Sequence, residues 1–336
     1  MGSGGDHEDR NLATWDNRIV QSCKRGRAAA HLTVAVAVAV ASLAPVSHAH
    51  ATTAVVPHPR LAPDFGWPWT TDSMAGKSGK LKARIVSPRR GDAGIRILRE
   101  MFGDSAAREP GIYHAADSAT GRPFSLITLL PLDARERGKV GSYRIGFWPG
   151  ERRGGESWQQ EKAPDGFIEV TTLNQDTPLS DHFRLRDFLT HDQQSVWPKY
   201  LVLRDALVDK LELVISDLQS RGYPVSHMQV MSGFRTPQYN AQGVGKKGGR
   251  ATDSRHQYGD AADVFVDNNG DGRMDDLNRD GRVDTRDAKI VLQSVERIEQ
   301  RHPDLIGGAG LYKATRAHGP FVHVDVRGSR ARWGRS

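Results

Sequence analysis

Hydrophobic and polar positions alternate in two short segments of the C-terminal half. In residues 321–326, valines fill every second position, and His323 and Asp325 lie between them. In residues 261–266, two valines share one face and Asp263 lies on the other. Alternation with a period of two is typical of a half-buried strand. Both segments are therefore predicted to be strands that present polar side chains opposite an apolar face.

Other segments repeat their apolar residues every three or four positions, which predicts helices. The clearest runs from about Leu203 to Arg221, and further helices are predicted at 95–102 and 288–301. A short helix capped by Ser180 or Asp181 is predicted before Leu189. Strands are predicted at 124–130, 143–148, 166–171 and 228–233. This mixture predicts an α+β fold in which a sheet carries the functional site.

Composition divides the chain into four parts. Residues 1–51 contain a basic cluster, an apolar run and a small-residue cleavage site, which predict a signal peptide and export. A membrane anchor is the alternative, because the run is marginal in length for crossing a bilayer. Residues 52–80 read as a linker and residues 81–150 as a small β-rich domain, which binds the cell wall or packs against the next domain. Residues 166–333 form the predicted catalytic domain.

Cysteine content and charge narrow the function. The single cysteine, Cys23, precedes the apolar run, so cleavage removes the only thiol. That excludes a disulfide, a cysteine-ligated metal and a thiol nucleophile from the mature protein. The formal net charge is +7. No aromatic and basic binding motif accompanies it, so we expect no nucleic-acid partner and favour an anionic cell wall.

Three residues have the side chains of a metal site. Two imidazoles, His256 and His323, and one carboxylate, Asp263, are a ligand set that catalytic zinc uses when its fourth position stays open for water. Each residue alone is more often structural, as a loop histidine or a hydrogen-bonded strand histidine. Their combination predicts a metal-dependent hydrolase.

Three motifs carry a family resemblance. Ser254-x-His256-x-x-Gly259-x-Ala261-x-Asp263 resembles the signature of the zinc D-alanyl-D-alanine carboxypeptidases and related murein endopeptidases. Residues 232–240, SGFRTPQYN, are similar to the segment before the first ligand, and residues 321–325, FVHVD, to the closing strand. The motifs keep the family's order, and the resemblance covers residues 167–333.

The resemblance implies a secreted zinc metallopeptidase that cuts the peptide stem of peptidoglycan in the bacterial cell envelope, as a carboxypeptidase or an endopeptidase. It also implies a Hedgehog-type fold, with a central antiparallel sheet flanked by helices. His256, Asp263 and His323 would be the zinc ligands.

Proton transfer is where the chain departs from the family. Arg235 would contact the substrate near the scissile carbonyl, and a surface salt bridge is its alternative role. Pro320 occupies the position of the acidic general base found in several relatives. The candidates to replace it are His318 and Asp325, although Asp325 is equally suited to orienting a ligand.

Residues 267–287 resemble two consecutive calcium loops. Oxygen-bearing side chains fall at positions one, three, five and nine of each loop, glycine falls at position six, and an aspartate ends the second loop at position twelve. Calcium binding is predicted, with a polar solvated loop as the alternative. The candidate ligands are Asp267, Asn269, Asp271, Asp275, Asp276, Asn278, Asp280, Asp284 and Asp287.

Two other functional classes stay open. One is a cell-wall binding module that keeps zinc without turnover, as the Hedgehog signalling domain does among relatives, and Pro320 favours it. The other is a calcium-dependent adhesion or scaffold protein that binds a partner through residues 267–287.

Overall fold

The computed structural model describes residues 74–87, 93–116, 121–151, 163–245 and 249–334. The predicted signal peptide or anchor, Cys23 and most of the predicted linker lie outside these residues. Among the residues described, none of the helices combines the length and the apolar character needed to cross a bilayer.

The first part of the described chain contains short strands and one helix. The elements are β1 (Ala83–Val86), α1 (Ala93–Phe102), β2 (Gly111–Ala116), β3 (Pro123–Thr128), β4 (Leu130–Pro131), β5 (Lys139–Val140) and β6 (Tyr143–Arg144). A 3-10 helix at Leu132–Ala134 lies between β4 and β5. Strands β1 and β2 both pair with β3 in a three-stranded sheet, and β5 and β6 form a hairpin.

The second part contains the longer helices and the main sheet. Its helices and strands are β7 (Gly166–Val170), β8 (Lys199–Leu201), α2 (Asp205–Ser220), β9 (Met228–Ser232), α3 (Pro237–Gln242), β10 (Ala261–Val266), α4 (Thr285–Arg301), β11 (Gly308–Tyr312), β12 (Phe321–Asp325) and β13 (Ala331–Trp333). Short 3-10 helices lie at Leu185–Phe188, Arg255–Tyr258 and Pro303–Leu305. The structure is thus a mixture of helices and several small sheets, which confirms the α+β class at that level.

The main sheet has five strands in the order β13-β11-β12-β10-β9. Its pairs are antiparallel, except that β13 runs parallel to β11. The predicted central antiparallel sheet is therefore mixed at one edge. Helix α4 packs on β11 and β12, and α2 packs on α4.

The predicted alternation in β10 and β12 sets what each face of the sheet buries. Val264, Val322 and Val324 are fully buried in the main core, which α2 and α4 also line. The polar residues between them lie on the opposite face, because successive strand side chains point in opposite directions. One face therefore stabilises the fold, and the other is available for the site.

The same core joins the two parts of the chain. Strand β4 pairs with β7, and eight buried residues from this part belong to the cluster that contains the main-sheet valines: Leu81, Ala83, Ile127, Leu132, Val140, Tyr143, Ile145 and Trp148. A second, smaller cluster is formed by Val86, Ile97, Leu98, Ala106 and Leu126. Trp148, for example, is 2% exposed and donates its indole N–H to the carbonyl of Gln257 at 2.9 Å. The segment predicted as a small β-rich domain thus packs against the region that carries the predicted ligands.

Two predicted elements differ from the structure. The short helix near Leu189 is a 3-10 helix that begins at Leu185, where Asp187 accepts a hydrogen bond from the Arg184 amide, so neither Ser180 nor Asp181 caps it. The predicted strand at 143–148 pairs only over Tyr143–Arg144. Beyond that, the Ile145 carbonyl accepts a hydrogen bond from the Gln238 amide at the start of α3, so the backbone leaves the hairpin.

Candidate metal centre

Strand pairing brings two of the predicted ligands together. Asp263 on β10 lies directly opposite His323 on β12. Opposite residues in an antiparallel pair project to the same face, so both side chains leave the sheet on its polar side. His256 comes from the 3-10 helix Arg255–Tyr258, whose next residue, Gly259, has a left-handed φ of 66° and turns the chain into β10.

The three side chains converge on one point. His323 Nδ1 lies 2.9 Å from Asp263 Oδ1 and 3.1 Å from His256 Nε2. His256 Nε2 lies 3.3 Å from the same carboxylate oxygen. All three residues are buried, with exposed fractions of 2% for His256, 5% for Asp263 and 7% for His323.

The far nitrogen of each imidazole has its own partner. His256 Nδ1 lies 2.7 Å from the Gly233 carbonyl oxygen, which can only accept, so Nδ1 carries the hydrogen. His323 Nε2 lies 3.2 Å from Asp325 Oδ2, which assigns its hydrogen to Nε2. In the neutral histidines, the lone pairs of His256 Nε2 and His323 Nδ1 therefore face Asp263 Oδ1. Three converging acceptors in a buried site require a cation or a proton among them.

Burial and charge act on these groups in opposite directions. Burial lowers the pKa of His256 and favours its neutral form. Burial alone would raise the pKa of Asp263, but His256 and His323 hold it well below its ordinary value. Burial would likewise lower the pKa of His323, whereas Asp263 and Asp325 raise it. A proton on His323 and a metal ion would compete for the same position, because ligand binding needs the neutral imidazole.

The spacing fits a tetrahedral metal. With bonds of about 2.0–2.1 Å, two ligand atoms of a tetrahedral site lie about 3.3 Å apart. The three separations here run from 2.9 to 3.3 Å. The buried group of His256, Asp263 and His323 can therefore hold a metal ion.

Asp325 lies behind His323 and is fully buried. Its Oδ1 accepts hydrogen bonds from the amides of Gly308 at 2.6 Å and Arg327 at 3.1 Å, and the Arg327 guanidinium binds both oxygens. Burial raises the pKa of Asp325, but His323 and Arg327 lower it strongly, so the carboxylate is a poor proton acceptor. Of its two predicted roles, the geometry favours orienting His323 over acting as general base.

Arg235 lies inside the site, not on a surface salt bridge. Its Nη2 donates to Asp263 Oδ2 at 2.5 Å, and its Nε donates to Ser232 Oγ at 2.8 Å. The guanidinium occupies one oxygen of Asp263 and leaves Oδ1 directed at the two histidines. Arg235 thus orients the carboxylate of Asp263.

His318 lies to one side of the three ligands. Its Nδ1 donates to the Gly319 carbonyl at 2.8 Å, and its ring packs edge-on against Phe321 with centroids 5.0 Å apart. It lines a cleft of about 640 Å³ together with residues 271–275 of the first predicted calcium loop and Asp276 of the second. None of the contacts recorded for His318 in the described residues joins it to His256, Asp263 or His323.

Aromatic residues lie beside His323, and two of them, Tyr312 and Trp333, were not singled out by the sequence. The Trp333 ring lies 5.1 Å from the imidazole, and its Nε1 donates to the Tyr312 hydroxyl at 2.8 Å. Tyr312 stacks on Phe321 with a centroid separation of 4.5 Å. Phe321 lies two positions before His323 in the alternating strand, so the sequence pattern already places both side chains on one face. Tyr312 and Trp333 come from β11 and β13, whose pairing partners cannot be read from local periodicity.

The two predicted calcium loops are held mainly by their own carboxylates. Asp267 accepts hydrogen bonds from two amides of the first loop, and Asp276 does so in the second. Arg286 binds Asp280 at 2.6 Å and Asp284 at 2.7 Å. Asp287, predicted at position twelve, is fully buried and accepts from the amides of residues 277 and 284.

Calcium binding therefore stays a prediction. Within the described residues, the groups of histidine and acidic side chains whose ligand atoms all lie within 4.8 Å comprise only His256, Asp263 and His323. Arg286 already neutralises Asp280 and Asp284, so a cation in the second loop would compete with its guanidinium.

Comparisons with known proteins give no relative. No protein-family model matches the chain, and neither the curated proteins nor the solved structures contain a match. The functional argument rests on the site itself.

Proposed function

We propose that this protein is a zinc metallopeptidase that hydrolyses peptide-stem bonds of bacterial peptidoglycan, as a D,D-carboxypeptidase or an endopeptidase. One observation carries the proposal: the convergence of His256 Nε2, Asp263 Oδ1 and His323 Nδ1 at 2.9 to 3.3 Å. The substrate class is supported separately, by the resemblance of the three sequence motifs to the murein peptidases.

Zinc is the metal that the donor set favours. Two imidazoles and one carboxylate form a catalytic zinc set that leaves the fourth position for water or substrate. When bound, zinc supplies Lewis acidity and lowers the pKa of the water it binds to about 7. His256, Asp263 and His323 would hold it, and Gly233 and Asp325 keep the two imidazoles in the tautomers that ligation needs.

Arg235 is the cation nearest to Asp263 in this arrangement. It holds Asp263 Oδ2 and so directs Oδ1 to the metal position. A guanidinium is also suited to a carbonyl oxygen or a terminal carboxylate of the substrate. His318, which lines the neighbouring cleft, is the remaining candidate for proton transfer, because Asp325 already accepts several hydrogen bonds.

The predicted leader at residues 1–51 supports a place of action outside the cytoplasm. We propose that the mature protein works in the bacterial cell envelope, periplasmic or extracellular. Its formal net charge of +7 suits an anionic wall polymer.

The test is digestion of purified peptidoglycan by the zinc-loaded mature protein. Released muropeptides are identified by mass spectrometry, and metal content is measured on the same sample. His323→Ala removes a ligand, and His302→Ala, at the end of α4, is the matched histidine control. We expect cleavage by the wild type and by His302→Ala, and none by His323→Ala or after chelation.

The outcomes separate the alternatives. Release that chelation does not reduce would contradict a metallopeptidase. One zinc per chain without any cleavage would favour the non-catalytic binding module, for which Pro320 at the expected base position already argues. Wall or partner binding that depends on calcium, without cleavage, would favour the adhesion or scaffold class.

A further inference from the structure

Tyr312 lies on the same face of the sheet as the candidate metal centre. In the β11–β12 pair, Gly310 is opposite His323 and Tyr312 is opposite Phe321. Paired residues of an antiparallel ladder share a face, and diagonal neighbours lie about 7–8 Å apart. Tyr312 is therefore a diagonal neighbour of His323 across the ladder. Tyr312 is 37% exposed, so the residue lies at the surface of this face and not inside the core.

The hydroxyl of Tyr312 has a fixed hydrogen-bond polarity. Trp333 Nε1 lies 2.8 Å from Tyr312 Oη. An indole N–H is a donor only, so the phenol oxygen must accept from it. The phenol hydrogen is not used in that bond and remains available to a further acceptor. Stacking of the Tyr312 ring on Phe321, with planes 5° apart, fixes the direction of the oxygen.

Gly310 makes this arrangement possible. A Cβ on Gly310 would lie 2.1 Å from Trp333 Nε1 and 2.3 Å from Cε2. The indole therefore lies directly over the glycine, between Tyr312 and the imidazole of His323. Any larger side chain at position 310 would push Trp333 away from both.

Burial keeps the phenol protonated. Burial raises the pKa of Tyr312 and the carboxylate of Asp263 raises it further, whereas the Trp333 N–H and the Arg235 guanidinium lower it. The net direction is upward, so the hydroxyl is neutral at pH 7 and acts as a donor.

We infer that Tyr312 is a catalytic residue that donates a hydrogen bond to the substrate carbonyl oxygen as negative charge develops on it, and that Trp333 is the positioning residue that orients its hydroxyl. The inference rests on the proposed peptidase function. In the reaction, a water oxygen bonds to the carbonyl carbon, the carbon–nitrogen bond breaks, and a proton reaches the leaving amine. Tyr312 neither gains nor loses a proton overall, so it differs from a general base.

Two other polar groups at the site, Asp325 and Arg235, already have partners. Asp325 is engaged by His323, Gly308 and Arg327, and Arg235 binds Asp263. The Tyr312 hydroxyl is thus a donor on the metal face whose hydrogen is not required by the bond it makes to Trp333. A donor aimed at a developing oxyanion contributes more than one aimed at the neutral carbonyl, because the interaction strengthens toward the transition state.

The experiment uses zinc-loaded protein and soluble muropeptides containing the bond that the wild type cuts. Tyr312→Phe keeps the ring and removes the hydroxyl. We expect kcat to fall by about 10²–10³-fold, as for loss of one oxyanion donor, with KM changed less than about threefold. Tyr113 lies on β2 in a different sheet, and its hydroxyl donates to the backbone carbonyl of Glu109. Tyr113→Phe is therefore the matched control and should keep wild-type kinetics.

Two further measurements distinguish catalysis from a structural effect. Trp333→Phe should lower kcat by about tenfold, consistent with loss of one hydrogen bond, and should add little in the Tyr312→Phe background. A phosphinate analogue of D-alanyl-D-alanine, titrated calorimetrically, should lose affinity for Tyr312→Phe by the same factor as kcat/KM. Tyr312→Phe should hold as much zinc as the wild type, and its melting temperature should fall by no more than the few degrees that loss of one hydrogen bond causes.

The results that overturn the inference are distinct from those that overturn the proposed function. If the wild type cuts muropeptides and Tyr312→Phe keeps its kcat or its phosphinate affinity, the role of Tyr312 is refuted and the peptidase stands. A change in KM alone also refutes it, in favour of a substrate-stacking surface. If the zinc-loaded wild type cuts nothing, the proposed function and this inference fall together.

Discussion

Asp325→Asn tests whether the residue behind His323 controls metal binding. The carboxylate accepts from His323 Nε2 at 3.2 Å through one oxygen, and from the Gly308 amide at 2.6 Å through the other. An asparagine has one accepting oxygen and a donating NH₂ group. Whichever way it is placed, its NH₂ group faces a donor that the carboxylate had satisfied.

Both orientations harm the metal site. If the asparagine NH₂ faces His323, the imidazole must accept at Nε2 and carry its hydrogen on Nδ1, the nitrogen directed at Asp263. If the oxygen faces His323, the NH₂ group opposes the amide of Gly308. The loss of negative charge also reduces the basicity of the ligand. Removal of such a supporting partner weakens metal binding by about 10- to 100-fold, or roughly 1.4–2.7 kcal/mol.

The assay is competition for zinc with a chromophoric chelator, at fixed pH, with urea unfolding of the metal-free proteins measured in parallel. Asp217→Asn is the control. Asp217 is a buried carboxylate on α2 that accepts a hydrogen bond from Arg297 on α4, and its partners are not the metal ligands. We expect weaker zinc binding for Asp325→Asn alone. An Asp325→Asn protein that folds and binds zinc within threefold of wild type would refute the reasoning.

Three further predictions concern the fold. Lys210 is fully buried, and its Nζ lies 2.7 Å from Glu299 Oε1. Lys210→Met leaves Glu299 buried without this lysine partner, so the free energy of unfolding in urea should fall by about 3 kcal/mol. An unchanged free energy of unfolding would show that this ion pair does not stabilise the fold. Gly310→Ala should lower the free energy of unfolding by about 1–3 kcal/mol, because the added Cβ would lie 2.1 Å from Trp333 Nε1. An unfolding curve equal to that of the wild type would show that the indole moves freely. Burial raises the pKa of Asp217, but Arg297 lowers it below its ordinary value. That stabilisation is present above the unfolded-state pKa of about 3.9 and is lost as pH falls through the folded-state pKa. The melting temperature of Asp217→Asn should therefore lie below that of the wild type near pH 7 and converge with it toward acid pH.

The local pattern of the chain predicted strands β10 and β12, which carry Asp263 and His323, but not the 3-10 helix that carries His256. The alternation at residues 321–325 predicted β12, and the apolar stripe predicted α2 to within two residues at its start. Both succeed because one side of each element is buried, so its period appears directly in the sequence. The ligand trio followed from side-chain chemistry and motif order, and the structure brings its three members together.

What the sequence left open depends on contacts between distant segments. Asp325 was equally suited to accept a proton or to orient His323, and only its contacts with Gly308 and Arg327 distinguish these roles. The start of α4 moved from residue 288 to Thr285, because Asp284 and Asp287 form a capping box before the apolar stripe begins.

Tyr312 and Trp333, the aromatic residues beside the site, show the same division most clearly. Nothing in the local sequence connects Tyr312 or Trp333 to His323, since each lies on a different strand. Their proximity comes from the register of β11 with β12 and from the parallel pairing of β13, which seats Trp333 over Gly310. The sequence by itself determined strands β10 and β12 and the three candidate ligands, because periodicity and side-chain chemistry are local. Only the tertiary structure decided which donors surround them, because strand register is set by pairing across the whole sheet.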